Sequence, residues 1–413
     1  MDTFLSKTTS KIRSYLREPF YTNSLYIALG RFLECGFGFL FWTLAARLYS
    51  VADVGIATAL ISSLGLVMAF SRLGFDTAII RFMPSQDHSR VFNTCLWITT
   101  AAATVVGIIY LAAINLISPD IAFIRDYTPI FLLFVVVNSI TLITGYALLS
   151  FRKADLKLIQ NIIVGVRLLL LLPLTLLGSL GIFYSFGIAY LVATVFTLVV
   201  IRHYVTIVPK IDWEFTRKTI SFSSQNYLAN LFQNIPSLVM PILIVNLLSP
   251  ENSALYYIAF TIGNLVLIIP EALATSFFVE GSHGTDLRTG VVKTLATIYV
   301  ILIPAVLLIV LFGDLLLGLF GEDYIRAFNL LRIVAISSVF ITIYKVFISI
   351  QNIRLQVRGI VFMNLIQFIL LLGLSYVFLT FFGIIGVGYA WAITYLILSG
   401  GIVGFVKKRG WIG

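Results

Sequence analysis

Charge is what this chain has least of. Only 11% of its 413 residues are Asp, Glu, Lys or Arg, against roughly 25% in soluble domains. That scarcity excludes a soluble globular protein. Cysteine is sparser still: Cys35 and Cys95 sit in apolar runs without a Cys-x-x-Cys spacing, so neither a disulfide framework nor a thiolate metal site is indicated. His88, His203 and His283 are scattered among the connections and form no metal-binding cluster. Long loops are missing too. The longest connection, near 204–218, holds only "YVTIVPKIDWEFTRK". A membrane glycosyltransferase would need carboxylates or a nucleotide-sugar metal site on a sizeable loop. Asp212 and Glu214, beside Trp213, read instead as an interfacial anchor.

What is present is hydrophobic length. Hydrophobic residues make up 60% of the chain and the mean hydropathy is +1.03. The apolar runs reach the ~20 residues that a membrane helix needs, and they lack the alternation of an outer-membrane barrel. The chain therefore reads as an all-α polytopic membrane protein. Twelve helices are expected, at about 23–46, 54–80, 91–117, 127–150, 156–180, 184–203, 219–248, 253–279, 289–319, 326–350, 356–381 and 384–406. Residues 1–20, with "KTTSKIRSYLR", read as a cytoplasmic amphipathic segment rather than a cleavable signal. The remainder divides into an N-lobe (21–206), an inter-lobe linker (207–218), a C-lobe (219–406) and a basic tail (407–413).

The net charge of +10 follows the positive-inside bias and calls for no nucleic-acid partner. Only Arg47, Arg125 and Arg326 fall on one side of the membrane, and Arg31, Arg72, Arg167, Arg332 and Lys345 fall within helices. The other basic residues share the opposite side, which places both termini in the cytoplasm of a cell-membrane protein.

Shifting the chain by 199 residues superposes its halves: Ser50 on Ser249, Ser150 on Ser349, Gly187 on Gly386 and Tyr190 on Tyr389. Six helices per half give both copies one orientation, the parallel-repeat plan of transporters with a site between their halves. Helix 1 carries Ile27, Arg31, Glu34, Gly38 and Trp42 on one face, and helix 7 carries Asn226, Asn230, Gln233 and Ser237 on the matching one. Helix 2 places Ser62, Gly65, Arg72 and Asp76 together, and helix 8 places Thr261, Asn264, Glu271 and Thr275. Lipid would leave such stripes unsatisfied, since one charge at the bilayer centre costs about 2.5–3.5 kcal/mol on insertion scales. They are either packing glue, with Arg31–Glu34 and Arg72–Asp76 as ion pairs one turn apart, or the lining of a cavity between the lobes.

Under the repeat, Arg72 maps onto Glu271 and Arg81 onto Glu280. Opposite charges at equivalent positions make these four residues candidates for a gate, although Arg81 and Glu280 also suit snorkelling to the headgroups. Arg167 has no acid at helical spacing and is the strongest candidate for an anion contact. Lys345 reads as snorkelling, and Arg332 as a partner of Glu322 or Asp323.

The stretch "AARLYSVADVGIATALISSLGLVMAFSRLGFDTAIIRFMP" (45–84) closely resembles the N-terminal signature of Wzx-type polysaccharide (O-antigen) flippases. These belong to the multidrug/oligosaccharidyl-lipid/polysaccharide (MOP) superfamily, which also contains the MATE drug exporters. The shared pattern is an Ala-Arg-Leu turn, an acidic residue and Gly opening helix 2, then Leu-Gly-Phe and an Arg before Pro. "GIFYSFGIAY" (181–190) and "GIIGVGYAWAITY" (383–395) are similar to its lobe-ending helices. The resemblance implies two six-helix bundles in a V, working by alternating access, and a transporter rather than an enzyme. It implies a polyprenyl-pyrophosphate-linked oligosaccharide as substrate, flipped from the cytoplasmic to the outer face. Arg31, Arg72 and Arg167 would meet the pyrophosphate. Asn226, Asn230, Gln233 and Asn264 would meet the sugars, and Pro236 and Pro241 would break or kink helix 7. Glu34 and Asp76 are the coupling candidates for H+ or Na+, with the membrane potential as the other energy source; no organic cofactor is expected. The chain is expected to act as a monomer among membrane lipids, alongside other polysaccharide-assembly proteins. Many Wzx-type members carry two further C-terminal helices beyond these twelve. A MATE-like exporter of small molecules, a flippase of another anionic lipid, and a scramblase or scaffold are the alternatives.

Overall fold

A computed structural model describes residues 19–282 and 286–408. The basic stretch 7–17, His283 and the residues past Lys408 lie outside these. Among the described residues there are fourteen α-helices and no strand. In chain order they are α1 (Pro19–Leu48), α2 (Val51–Ser71), α3 (Phe75–Phe82), α4 (His88–Ile117), α5 (Thr128–Ser150), α6 (Ala154–Val164) and α7 (Arg167–Leu171). They continue with α8 (Ser179–Ile201), α9 (Trp213–Leu247), α10 (Pro250–Ser282), α11 (Leu287–Gly318), α12 (Phe328–Ile353), α13 (Val357–Phe382) and α14 (Ile385–Lys408). Eleven of the helical segments are long and apolar enough to cross a membrane.

The other expected span, 156–180, is broken into α6, the short α7 and a single 3-10 turn at Thr175–Leu177. Helix 2 also differs from the expected 54–80. It stops at Ser71, and Leu73 (φ 50°) and Gly74 (φ 82°) both take left-handed conformations before α3 begins. Two successive left-handed residues cannot continue a right-handed helix, and only the second has the glycine freedom that makes this cheap. By contrast α9 runs unbroken past Pro236 and Pro241. Each proline removes one backbone donor, leaving a carbonyl one turn earlier without its usual partner.

The 199-residue register holds at the start of each half. Val51 and Pro250 open α2 and α10, and His88 and Leu287 open α4 and α11. It then drifts. The left-handed glycines that precede the last helix of each half are Gly178 and Gly383, so Gly187 and Gly386 are not at equivalent helical positions.

Contacts gather the chain into two compact units. The first comprises residues up to Phe41, 70–112 and 124–224; the second comprises 42–69, 113–123 and 225 onward. In the first, Phe75, Ile79, Met83, Phe92, Cys95, Ile143 and Ile201 are buried together. Lipid is as apolar as these side chains, so hydroxyls add cohesion between helices. Thr141 and Thr194 meet at 2.7 Å and Thr144 donates to Thr197 at 3.1 Å, bonding α5 to α8.

In the second unit the residues of the Ala-Arg-Leu and Asp-x-Gly pattern have packing work. Arg47 donates to the carbonyls of Gly318 (2.7 Å) and Leu319 (2.9 Å), satisfying the C-terminal end of α11. Ser50 and Asp53 cap α2 reciprocally, with Ser50 Oγ donating to Asp53 Oδ2 and accepting from the Asp53 amide. A Cβ on Gly55 would stand 1.7 Å from the Pro250 carbonyl oxygen, so glycine alone lets α2 approach the start of α10 this closely.

Candidate functional site

The α2–α3 break puts Arg72 at an elbow rather than on a helix face. Its carbonyl accepts from the Phe75 amide at 2.9 Å. Asp76 then falls in the first turn of α3, where a carboxylate meets the positive end of the helix dipole. It accepts from the Thr77 amide at 2.9 Å and lies 3.9 Å from Arg72 Nη1. The Arg72 Nε–H is buried and has no hydrogen-bond acceptor among the described residues.

Around this elbow the first unit assembles the polar residues of five other segments. The Tyr146 phenol on α5 lies within the electrostatic reach of Arg31, Glu34, Arg72 and Asp76. The buried Tyr190 phenol on α8 feels Arg167, Glu34 and Arg72. A cavity of about 390 Å³ opens among α1, α5 and α6, and its polar lining is Tyr26, Arg31, Glu34, Tyr146, Lys157 and Asn161. Asn161 Nδ2 donates to the Gly30 carbonyl (3.3 Å), and Asn23 Oδ1 accepts from the Ala154 amide (3.2 Å), fixing α6 against α1.

Arg31 and Glu34 do not form the intrahelical ion pair that the packing-glue alternative requires. No oxygen of Glu34 comes within 4 Å of Arg31, whereas Lys157 on α6 feels the Glu34 charge. Neighbours three apart on one helix point about 60° away from each other, so a cation on a facing helix can compete for the same acid. Lys157 is a residue that hydropathy hides, because it follows the polar connection "FRKAD". The signal that finds it is the spacing Lys157, Gln160, Asn161, one face of a short helix. Lys157 Nζ donates to Gln160 Oε1 (2.7 Å), whose amide donates to the Thr141 carbonyl (2.9 Å). One of its three ammonium protons is thereby used and the others remain available.

Arg167 begins α7, just past the break in the expected fifth span. Its guanidinium lies 5.0 Å from the Phe41 ring centre and 5.5 Å from that of Phe186, a cation–π setting that holds the charge without neutralising it. Its Nε–H also lacks an acceptor among the described residues.

Of the remaining expected site residues, Arg81 ends α3 in the first unit and the others lie in the second. Asn226 and Asn230 are exposed on α9, Gln233 is half-buried there, and Asn264 is exposed on α10. None of these four side-chain amides is committed to another described residue. Glu271 lies 3.8 Å from Lys345 Nζ on α12, so Lys345 finds an acid rather than snorkelling. Glu280 is exposed near the end of α10. Arg332 donates to the Val310 carbonyl (3.0 Å) and stacks on Phe328 at 3.9 Å; Asp323 is taken by Arg326 at 2.7 Å. Asp212 and Glu214 bind Arg90, at 2.5 and 3.6 Å. They are therefore structural acids that tie the start of α9 and the residue before it to α4.

Residues 44–329 match a family described as polysaccharide biosynthesis protein. No curated protein matches the sequence. Several solved structures share the fold. One is a multidrug resistance MATE family transporter of the MOP superfamily, inward-facing, with TM-score 0.74 and 15% identity over 91% of this chain and 94% of that one. Another is the lipid II flippase MurJ, inward closed, with TM-score 0.74 and 13% identity over 93% and 87%. A third is a MOP superfamily transporter from Pyrococcus furiosus described as having a binding pocket of reverse polarity, with TM-score 0.63 and 17% identity over 96% and 97%.

Proposed function

The chain belongs to the polysaccharide biosynthesis protein family and is a multi-pass membrane protein of the MOP transporter fold; from that premise we propose that it is a flippase for polyprenyl-pyrophosphate-linked oligosaccharides, moving them from the cytoplasmic to the outer face of the cell membrane. The observation that carries this reading is the charge balance of the first unit's polar cluster. Arg31, Arg72, Lys157 and Arg167 stand against Glu34 and Asp76, a surplus of two positive charges. A pyrophosphate diester carries about two negative charges and offers acceptors that suit guanidinium forks. The two buried Nε–H groups without acceptors, on Arg72 and Arg167, are the kind of donors that such oxygens satisfy. Leaving a buried donor unmade costs about 1–3 kcal/mol, which an arriving anion offsets.

The uncommitted amides of Asn226, Asn230, Gln233 and Asn264 are suited to sugar hydroxyls, each neutral bond contributing on the order of 1 kcal/mol. Glu34 and Asp76 are the groups to exchange H+ or Na+ in an alternating-access cycle. Glu34 shares its cavity with two of the cations, so headgroup arrival and loss of a coupling ion would act on the same charges. A membrane with both termini on its cytoplasmic side agrees with the basic residues along the chain.

The test is transport by purified protein in vesicles. A lipid-pyrophosphate oligosaccharide should change leaflet in a protein-dependent manner. Export of cationic dyes without any movement of the lipid-linked sugar would instead support a small-molecule exporter of the same fold.

A further inference from the structure

A second cavity lies in the first unit, lined by residues that do not line the cavity just described. It has a volume of about 740 Å³ and is formed where the end of α3 and the turn after it meet the first turns of α9. Its polar lining among the described residues is Thr77, Arg81, Ser85, Gln86 and Lys218, with no Asp or Glu. Neither Arg81 nor Lys218 forms an ion pair with a described residue.

The contrast with Arg90 is informative. Within the same unit, Arg90 is neutralised by Asp212 and Glu214, so acids are available to this part of the chain and are spent elsewhere. Two cations facing one cavity repel each other unless an anion comes between them. Lys218 is not simply directed into solvent, since its Nζ lies 5.6 Å from the Phe82 ring centre, which holds the ammonium over the wall of the cavity. Arg81 lies in the last turn of α3, and Pro84 fixes the turn that follows. Ile80, 45% exposed, adds an apolar edge.

We propose that this cavity is an accessory phosphate site, in which Arg81 and Lys218 hold a phosphate group between them and Ser85 and Gln86 supply further hydrogen bonds. The exposed Ile80 beside the cations suits a phosphate that carries an acyl or prenyl chain, that is, an anionic lipid headgroup. A soluble phosphate ester has the same charge chemistry. This inference concerns a different cavity from the proposed transport cluster, and its test needs no transport.

The test is lipid retention by the full-length protein in detergent, read by native mass spectrometry. Phosphatidylglycerol and phosphatidylcholine are offered to the wild type, to the Arg81→Gln/Lys218→Gln double variant, and to Arg217→Gln, an exposed neighbour that does not line the cavity. Wild type and Arg217→Gln should retain phosphatidylglycerol about tenfold or more tightly than the double variant, at roughly 1 kcal/mol for each cation near a lipid surface. Phosphatidylcholine should not distinguish the three. If inorganic pyrophosphate at millimolar concentration displaces the lipid from wild type, the site takes phosphate from either source. If it does not, the lipid is the ligand. Equal retention by wild type and double variant, or an equal loss in Arg217→Gln, overturns the proposal.

Discussion

Lys157 brings a cation from α6 to the cavity that Arg31 and Glu34 line from α1. Its neighbours Arg152 and Lys153 make it look like part of a basic loop, yet it stands on α6 with its ammonium bonded to Gln160 and lining the same cavity as Glu34. Hydropathy averages over a window and cannot tell which way one lysine turns; a helix-face reading of Lys157, Gln160 and Asn161 can. Replacing Lys157 by Met should lower transport of a pyrophosphate-linked lipid by about tenfold or more, the effect of one lost charge-assisted contact. Lys157→Arg should retain most of it, and initial rates in vesicles at matched protein content would show the difference. Asp212 behaves differently because its role is local. The hydrogen bond from Arg90 and the Phe215 amide hold its carboxyl below the usual carboxylate range. A depressed folded value means that this contact contributes fully above the unfolded pKa, near ~3.9, and is lost as the pH falls through the folded one. Hydrogen exchange at Thr206 and Val208, whose amides bond to Ser89 and Asn93, should thus be protected at neutral pH. Asp212→Asn should weaken that protection at neutral pH and differ little from wild type once the pH has fallen below the folded value, and unchanged exchange at neutral pH would show that the side-chain bonds of α4 suffice.

At the scale of elements, the apolar runs made most helices legible, because a membrane span must be long and apolar. The failures lie where polar or left-handed residues interrupt a run. The α2–α3 break was hidden because Leu73 gives no sign in sequence of a left-handed backbone, although Gly74 beside it does. Gly74→Ala should cost about 1 kcal/mol or more of stability, whereas Leu73→Gly sets relief of its left-handed backbone against the loss of its packing on the first unit's core and should lower stability less than Leu73→Ala; melting temperatures in detergent would rank the variants. The Ala-Arg-Leu and Asp-x-Gly residues were legible as a motif but not as to their role. They resemble a family signature, and they turn out to cap helices and admit a close backbone approach. Gly55→Ala should therefore lower thermal stability sharply, since overpacking costs typically 1–3 kcal/mol and here the obstruction is a backbone carbonyl. A variant as stable as the wild type would mean that α2 and α10 separate freely.

For the molecule as a whole, the charges that looked costly one by one become intelligible together. Arg31, Arg72 and Arg167 come from α1, the α2–α3 elbow and α7, three segments far apart in sequence, and the first unit gathers them with Lys157 around two carboxylates. Helical periodicity gave the faces of single helices. It could not give this convergence, because the elbow and the break before α7 decide it. The measurement that tests the account most directly is flipping of a lipid-pyrophosphate oligosaccharide in vesicles by wild type, Arg72→Ala and Arg167→Ala, each checked for an unchanged melting profile. The account predicts transport by the wild type and its loss in both variants while the fold persists. Undiminished transport in both variants would contradict it and leave these arginines as structural ties between helices.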